Sequence, residues 1–190
     1  MENTQYVNRA GSRGDRRSRR PQHATPSEFQ ERVLEINRVT RVVKGGKRMR
    51  FRALVVIGDG INRVAFGLGK ANDVTTAVAK AVADAKKRVA PVFLTEAGTL
   101  PYQVRSSHKS AMVLIRPARA GTGLIAGGAV RVVLELAGVK NAVAKVLGSS
   151  NKISNVVAAI KALTSVEAPR QMLEDRGKLS AEKSPANKEG

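Results

Sequence analysis

The residues in this chain with a chemistry to offer are cations set at strand spacing. Between Arg41 and Arg52 the segment RVVKGGKRMRFR carries Arg41, Lys44, Lys47, Arg48, Arg50 and Arg52 and no acid. Side chains on a strand return to the same face every second residue, so Arg48, Arg50 and Arg52 form a row with a step of about 7 Å. That step is comparable to the spacing of phosphates along a nucleic-acid strand, roughly 6–7 Å. Gly45-Gly46 tolerates positive φ at a turn and exposes backbone N–H groups flanked by Lys44 and Lys47, so a sugar-phosphate chain can come close. Like charges without a counterion repel, and a polyanion is the partner that relieves them. The chemistry is anion binding.

A second acid-free window, Ala97 to Leu134, holds Arg105, Lys109, Arg116, Arg119 and Arg131 and reads as a further, less focused anion-facing surface. Lys80, Lys86, Lys87 and Arg88 add charge to a helix, although cations at a helix C-terminus equally serve its dipole. Aromatic residues are 3% of the chain, so recognition works through charge and shape rather than through bases stacked on rings.

Catalytic patterns fail one after another. Cysteine is absent, which removes disulfides, thiolate chemistry and cysteine zinc sites, and the histidines are His23 and His108. His108, in SSHKS, has serine neighbours but no motif that supplies a third group to orient it. Gly121-Thr122-Gly123 with Gly127-Gly128 misses the dinucleotide spacing because Ala126 stands in the last glycine position, and no Gly-Lys-Ser/Thr follows. Gly67-x-Gly69-Lys70 is no stronger, and tight packing explains such glycines as well. Carboxylates are scattered rather than paired. No catalytic residue, metal-ligand set or cofactor is expected, and no small-molecule substrate.

These residues need elements to hold them. A run rich in β-branched residues, RVLEINRVTRVV, leads into the Gly-Gly turn. The next run, RMRFRALVVIG, alternates, with Met49, Phe51, Ala53, Val55 and Ile57 opposite the arginines. Gly58-Asp59-Gly60 turns into a third strand with Val64, Phe66 and Leu68 on one face and Arg63, Ala65, Gly67 and Gly69 on the other. Asn72 or Asp73 then caps a helix striped by Val74, Ala77, Val78, Ala81, Val82, Ala85 and Val89. Pro91 and residues 95–101, TEAGTLP, break regularity and read as an inter-domain connection. Strands follow at about Tyr102–Ser106 and Ser110–Arg116, then the glycine-rich stretch and a helix with Val130, Val133, Leu134 and Ala137 that stops at Gly138. The segment VKNAVAKVLG reads as a strand, though its pattern alone allows helix. Ser150 or Asn151 caps a last helix with Ile153, Val156, Val157, Ile160 and Leu163 on one side.

The expected organisation is therefore an arginine-rich disordered arm over residues 1–27, a first domain over 28–94, a linker over 95–101, a second domain over 102–166 and a polar tail over 167–190. The fold class is α+β. Across its 190 residues the chain has a formal net charge of +19 and is 42% hydrophobic, enough for a core and too much for a wholly disordered polycation. Its first residues lack the apolar stretch of a signal peptide, and its longest apolar run, Ala53–Ile57, is far short of the roughly 18 residues of a membrane span. A soluble intracellular protein is expected, with no membrane partner.

The same residues carry a resemblance. INRVTRVVKGGKRMRFRALVVIGDG, VAFGLGKANDV, GTLP, RPARAGTGLIAGGAVRVVLELAGV and KVLGSSNKISNVVAAI, in that order, resemble the bacterial-type small-subunit ribosomal protein S-five family. Arg176-Gly177-Lys178 matches a tail element of the family, whereas Lys152 and Tyr102 stand where proline and histidine are common. The resemblance implies a double-stranded-RNA-binding-like domain of three strands and a helix, without the leading helix of that fold, then a small βαβ-type α/β sandwich. It implies a structural constituent of the small ribosomal subunit, one copy per ribosome, that binds small-subunit ribosomal RNA, supports subunit assembly and lies near the channel through which messenger RNA enters. On it, the RNA-binding set is Arg38, Arg41, Lys44, Gly45, Gly46, Lys47, Arg48, Arg50, Arg52 and Lys70. The loop from Val43 to Lys47 matches the one tied to spectinomycin sensitivity. Gly121, Thr122, Gly123 and Arg131 match positions near the contact with ribosomal protein S-four, which is tied to decoding accuracy. A bacterial cytoplasmic ribosome is the expected location. Composition alone equally suits a free nucleic-acid-organising or RNA-chaperone protein, and the glycine-rich loop leaves a small phosphotransferase as a third class.

Overall fold

The computed structural model describes residues 28–166; the arm expected over residues 1–27, with His23, and the tail expected over 167–190 lie outside the described residues. The first four-stranded sheet has the spatial order β1 (Gln30–Val43), β2 (Gly46–Gly58), β3 (Arg63–Ala71) and β4 (Ala90–Pro91), with α1 (Val74–Lys86) between β3 and β4 in the chain. The second sheet has the order β5 (Val104–His108), β6 (Ala111–Pro117), β8 (Ala142–Gly148) and β7 (Leu124–Ile125). Helix α2 (Gly128–Leu136) crosses from β7 to β8, which pair in parallel, and α3 (Lys152–Thr164) closes the described chain. The α+β class holds, with three strands and a helix followed by a unit containing a βαβ crossover.

Helix α1 sits on the first sheet because β3 has no side chains where the helix crosses it. A Cβ on Gly67 would lie 2.0 Å from the carbonyl oxygen of Ala81, and one on Gly69 would lie 2.0 Å from that of Ala77. Tight packing, not phosphate binding, is what the Gly67-x-Gly69 spacing encodes. Ala77, Ala81, Val82 and Ala85 press against Ala53, Val55, Ile57 and Ala65, while Val78 and Val89 flank this contact. Asp73 is the N-cap residue of α1, but its carboxylate accepts from the Thr75 hydroxyl rather than from a helix N–H.

The other face of the same sheet divides along its length. Leu54 and Val56 continue the arginine face of β2, yet both are buried in one cluster with Val64, Val113, Ile115, Val133, Leu134 and Leu163. That cluster joins residues of both sheets, so α2 and α3 are wedged between them. This is why α3 is buried on more than its expected stripe: Ser154, Ala158, Ala159 and Ala162 are covered as well as Val156, Ile160 and Leu163. Asn151 caps α3, accepting from the Ile153 N–H at 3.1 Å.

Several boundaries differ from expectation. The hairpin turn is Lys44-Gly45, since Gly46 already pairs with Val43, and Gly45 at φ +86° carries the left-handed residue of the turn. β5 runs on to His108 because the β5–β6 hairpin turns at Lys109-Ser110. Two short strands had no sequence signal: β7, hidden in the glycine-rich stretch, and β4, where Pro91 pairs opposite Arg63 at a sheet edge that asks no N–H of it. Of VKNAVAKVLG, Ala142–Gly148 is strand, since β6 and β7 flank it on both sides.

The β2–β3 loop ties the two halves together. The Asp59 carboxylate accepts from the N–H groups of Ile61, Asn62 and Arg63 and from Arg63 Nε at 2.8 Å. Gly60 N–H then donates to the Leu136 carbonyl at the end of α2, 3.0 Å away. Burial pushes the Asp59 pKa up, but the Arg63 side chain and the three backbone donors outweigh it and hold the carboxyl well below its ordinary value. A pKa depressed on folding stabilises the fold fully above the unfolded value, and that stabilisation is lost as pH falls through the folded one. Asp59→Asn is therefore expected to lower the urea midpoint at neutral pH, with wild type and variant converging in strong acid. A difference that persists unchanged at low pH would assign the loss to something other than the charge.

Candidate nucleic-acid interface

β1 and β2 pair beyond the end of β3, because β3 matches β2 only from Phe51 to Gly58. The pairs from Val43–Gly46 to Val39–Arg50 therefore project as a two-stranded ribbon, about 17 Å long at ~3.4 Å per residue. Cross-strand partners share a face, and the register sorts the cations. Arg48 lies opposite Arg41, Arg50 opposite Val39, and Arg52 between Asn37 on β1 and Lys70 on β3. Arg41, Arg48, Arg50, Arg52 and Lys70 thus occupy one face. Val39, Thr40, Arg41, Arg48, Arg50 and Lys70 line a concavity of about 210 Å³ there.

Two of these juxtapositions are unfavourable in the isolated chain. Like charges directly opposite each other across a strand pair destabilise it, and both Arg41–Arg48 and Arg52–Lys70 are such pairs. Among the described residues none of the five cations is ion-paired. The acid on the same face of β1, Glu35, lies further along and meets Lys152 Nζ at 3.6 Å, and Arg32 of β1 meets Glu135 of α2 at 3.6 Å. The sheet thus keeps its ion pairs where α2 and α3 cover it and its unpaired cations where it is bare.

The expected set is not all brought together. Lys44 and Gly45 form the tip and Gly46 opens β2, but Arg38 pairs with Phe51 and Lys47 with Val42, which puts both on the reverse face. Lys80, which the sequence places only on a helix, joins the cation face. The first turns of α1 bring it beside Arg50 and Lys70 around a hollow of about 450 Å³ that Asn72, Asp73 and Thr76 also line. Only the crossing of α1 over β3 creates that neighbourhood. Lys86 and Lys87 end α1 beside Arg88, which pairs with Asp84 at 3.0 Å in a structural role.

The glycine-rich segment does not form a phosphate cradle. The N–H groups of Gly121 and Gly123 both donate to Asn141 Oδ1, each at 3.1 Å, so the loop is folded around a side chain of its own protein. Gly121, Thr122 and Gly123 remain at the surface, and Arg131 on α2 pairs with Glu135 at 3.0 Å. His108 closes β5 at the hairpin, and among the described residues no group of three His, Cys, Asp or Glu side chains could hold a metal ion. Among the same residues no helix is long and apolar enough to cross a membrane.

Comparison with known proteins gives a consistent result. The family described as ribosomal protein S5, N-terminal domain, matches residues 29–93, and the one described as ribosomal protein S5, C-terminal domain, matches residues 106–176. The chain is 51% identical over 151 residues to small ribosomal subunit protein uS5 of Gloeobacter violaceus, covering 80% of this chain and 68% of the relative. It is 50% identical over 153 residues to uS5c of Cyanophora paradoxa, covering 80% of this chain and 90% of the relative. To uS5 of Microcystis aeruginosa it is 52% identical over 149 residues, covering 78% and 86%.

Proposed function

Because the chain belongs to the ribosomal protein S5 family, structural components of the small ribosomal subunit rather than enzymes, we propose that its arginine-lined ribbon binds small-subunit ribosomal RNA. Its relatives place its work in a ribosome of the bacterial cytoplasm or of an organelle. The observation that carries the RNA reading is the pair of like-charge contacts across the ribbon, Arg41 with Arg48 and Arg52 with Lys70. A phosphate between the members of each pair turns a repulsion into two charge-assisted hydrogen bonds. Lys44, Lys47 and the Gly45-Gly46 backbone lead the ribbon into the RNA, Lys80 continues the cation face toward α1, and Arg38 is reached by RNA that wraps the ribbon edge. Backbone charge and shape, not base stacking, do the recognition.

The finer roles follow the same reading. Residues 28–94 form the RNA-binding-like unit, 102–166 the second unit and 95–101 their connection, and one buried cluster draws residues from both sheets. The surface of Gly121, Thr122, Gly123 and Arg131 meets ribosomal protein S-four near the path of messenger RNA, where it bears on decoding accuracy. The tip around Val43–Lys47 bears on spectinomycin sensitivity.

Co-sedimentation with small subunits through rising salt tests the central claim. A ribosomal component stays with the particle, whereas a free polycation falls away steeply as counterions compete; loss at moderate salt would favour the nucleic-acid-organising class instead. For the protein contact, Arg131→Leu is expected to leave RNA binding within about twofold, since Arg131 lies outside the ribbon, while shifting misreading in a translation assay. Normal misreading would remove that interface.

A further inference from the structure

The second acid-free stretch of the sequence sets cations on a sheet face that, among the described residues, no helix covers. Val104, Val113, Ile115 and Ala144 point inward, to the buried cluster that α2 and α3 share. Strand side chains alternate, so the residues between them point outward. The register places Arg105, Leu114 and Lys145 side by side across β5, β6 and β8, with Ser107, Met112 and Leu147 one step along. On the other side of that row Arg116 lies beside Val143, and Val143 beside Ile125 of β7. Ile125 is 56% exposed, and Val143 and Leu147 are each 38% exposed. The four strands bear no acid. Among the described residues Arg105, Arg116 and Lys145 have no ion pair. Arg105 Nε is set on the Met112 sulfur, an acceptor too weak to match a charge. An exposed apolar patch rimmed by polar groups marks a docking surface.

The chemistry of this face selects its occupant. Sheets that take RNA on a face stack bases on aromatic rings, and these rows hold none. A second copy would set cation against cation. Residues 1–27 bring six arginines against two acids, and residues 167–190 bring five basic residues against five acids, so neither has negative charge to spare. A helix with side chains is roughly 10 Å across and strands lie about 4.8 Å apart, so a helix laid along β6 covers Met112 and Leu114 and has Arg105 on one flank and Lys145 on the other. We propose that the outer face of the second sheet seats one amphipathic helix of another protein of the same particle, its aliphatic residues on Met112, Leu114 and Leu147 and its carboxylates toward Arg105 and Lys145. Arg131 stands on α2, on the covered side of the sheet, so this surface is separate from the one proposed to meet ribosomal protein S-four. It depends on the family membership, not on the RNA reading.

Site-specific photocrosslinking in intact small subunits tests it, with p-benzoylphenylalanine placed in the full chain at Leu147 and, as a counterpart on the ribbon's cation face, at Val39. The probe at Leu147 is expected to join a peptide of another subunit protein that has aliphatic residues at helical spacing with acids between them. Adding Arg105→Glu and Lys145→Glu is expected to cut that yield about fivefold or more, because the reversed charges face the partner's carboxylates, whereas Arg105→Lys with Lys145→Arg keeps it. A probe at the exposed Ile125 repeats the measurement should the first variant fail to enter subunits. Crosslinks from this face to RNA, to residues 1–27 or 167–190, or to a second copy overturn the proposal. So does a yield that charge reversal leaves unchanged, or one from both probes no higher than at an open surface position. Failure of the Val39 probe to reach RNA would instead strike the RNA reading and leave this one standing.

Discussion

Arg48→Glu combined with Lys70→Glu is expected to stabilise the free protein while crippling its hold on RNA. Each reversal replaces a like-charge pair by an attractive one, Arg41 with Glu at 48 and Arg52 with Glu at 70. Cross-strand pairs of this kind are worth about 0.2–1 kcal/mol each, so the urea midpoint should rise measurably at low ionic strength. RNA affinity should fall by about a hundredfold or more, because each lost charge-assisted bond is worth about 1.5–3 kcal/mol. The slope of log affinity against log salt should flatten by about one for each phosphate contact removed. Titrating a small-subunit RNA fragment at several salt concentrations reads both quantities. A purely solvated ribbon would show the stability gain with unchanged affinity and slope, and that result would end the RNA assignment for this face. Opposite signs in one variant are informative because general unfolding would move both readouts down together.

Gly67→Ala and Gly69→Ala are each expected to cost on the order of 3 kcal/mol, since even one methyl group must push α1 off the sheet. The added Cβ at 67 would also meet the Ala85 nitrogen at 2.6 Å, and that at 69 the Ala81 nitrogen at 2.6 Å. The obstacles are backbone atoms of a helix, which cannot rotate aside as a side chain would. Against a total stability of about 5–15 kcal/mol, either change leaves the chain close to its unfolding threshold at physiological temperature. Gly128→Ala is the control: nothing lies within 4 Å of its added Cβ, and alanine is the better helix former by about 1 kcal/mol, so no loss is expected. Urea denaturation followed by circular dichroism reads all three. A Gly67 variant within 0.5 kcal/mol of wild type, the range of ordinary surface changes, would mean that α1 is not seated this closely. RNA affinity should fall along with stability, because Lys80 and Lys70 meet only while α1 crosses β3 where it does.

Much of the fold was legible because local chemistry and periodicity agreed. Alternation from Arg48 to Ile57 reads as a strand with one charged and one apolar face, and Asn151 before an apolar run reads as a helix cap. Asp73 marks the start of α1 as expected, though not through the capping bond. The glycines were ambiguous by themselves. Gly67 and Gly69 fit a phosphate loop or a close helix equally well until the carbonyls of Ala77 and Ala81 are placed above them. Gly121 and Gly123 likewise offered free N–H groups to a phosphate until Asn141, 20 and 18 residues on, turned out to accept them.

The sequence alone determined that this chain carries a large surplus of cations, that a strand sets several of them in a row, and that it has no cysteine and few, scattered acids in its two halves. Those properties are carried by residue type and by spacings of two to four residues, which the backbone geometry of a strand or helix converts directly into faces. Tertiary structure alone decided which cations share a face, because register across a hairpin puts Arg41 against Arg48 and sends Arg38 and Lys47 to the reverse. It also decided where the arginine face ends. Leu54 and Val56 obey the same alternation as Arg50 and Arg52, and only the packing of α2 and α3 against them buries one half of the face and leaves the other bare. Burial depends on what arrives from far along the chain, and a period of two carries no record of that.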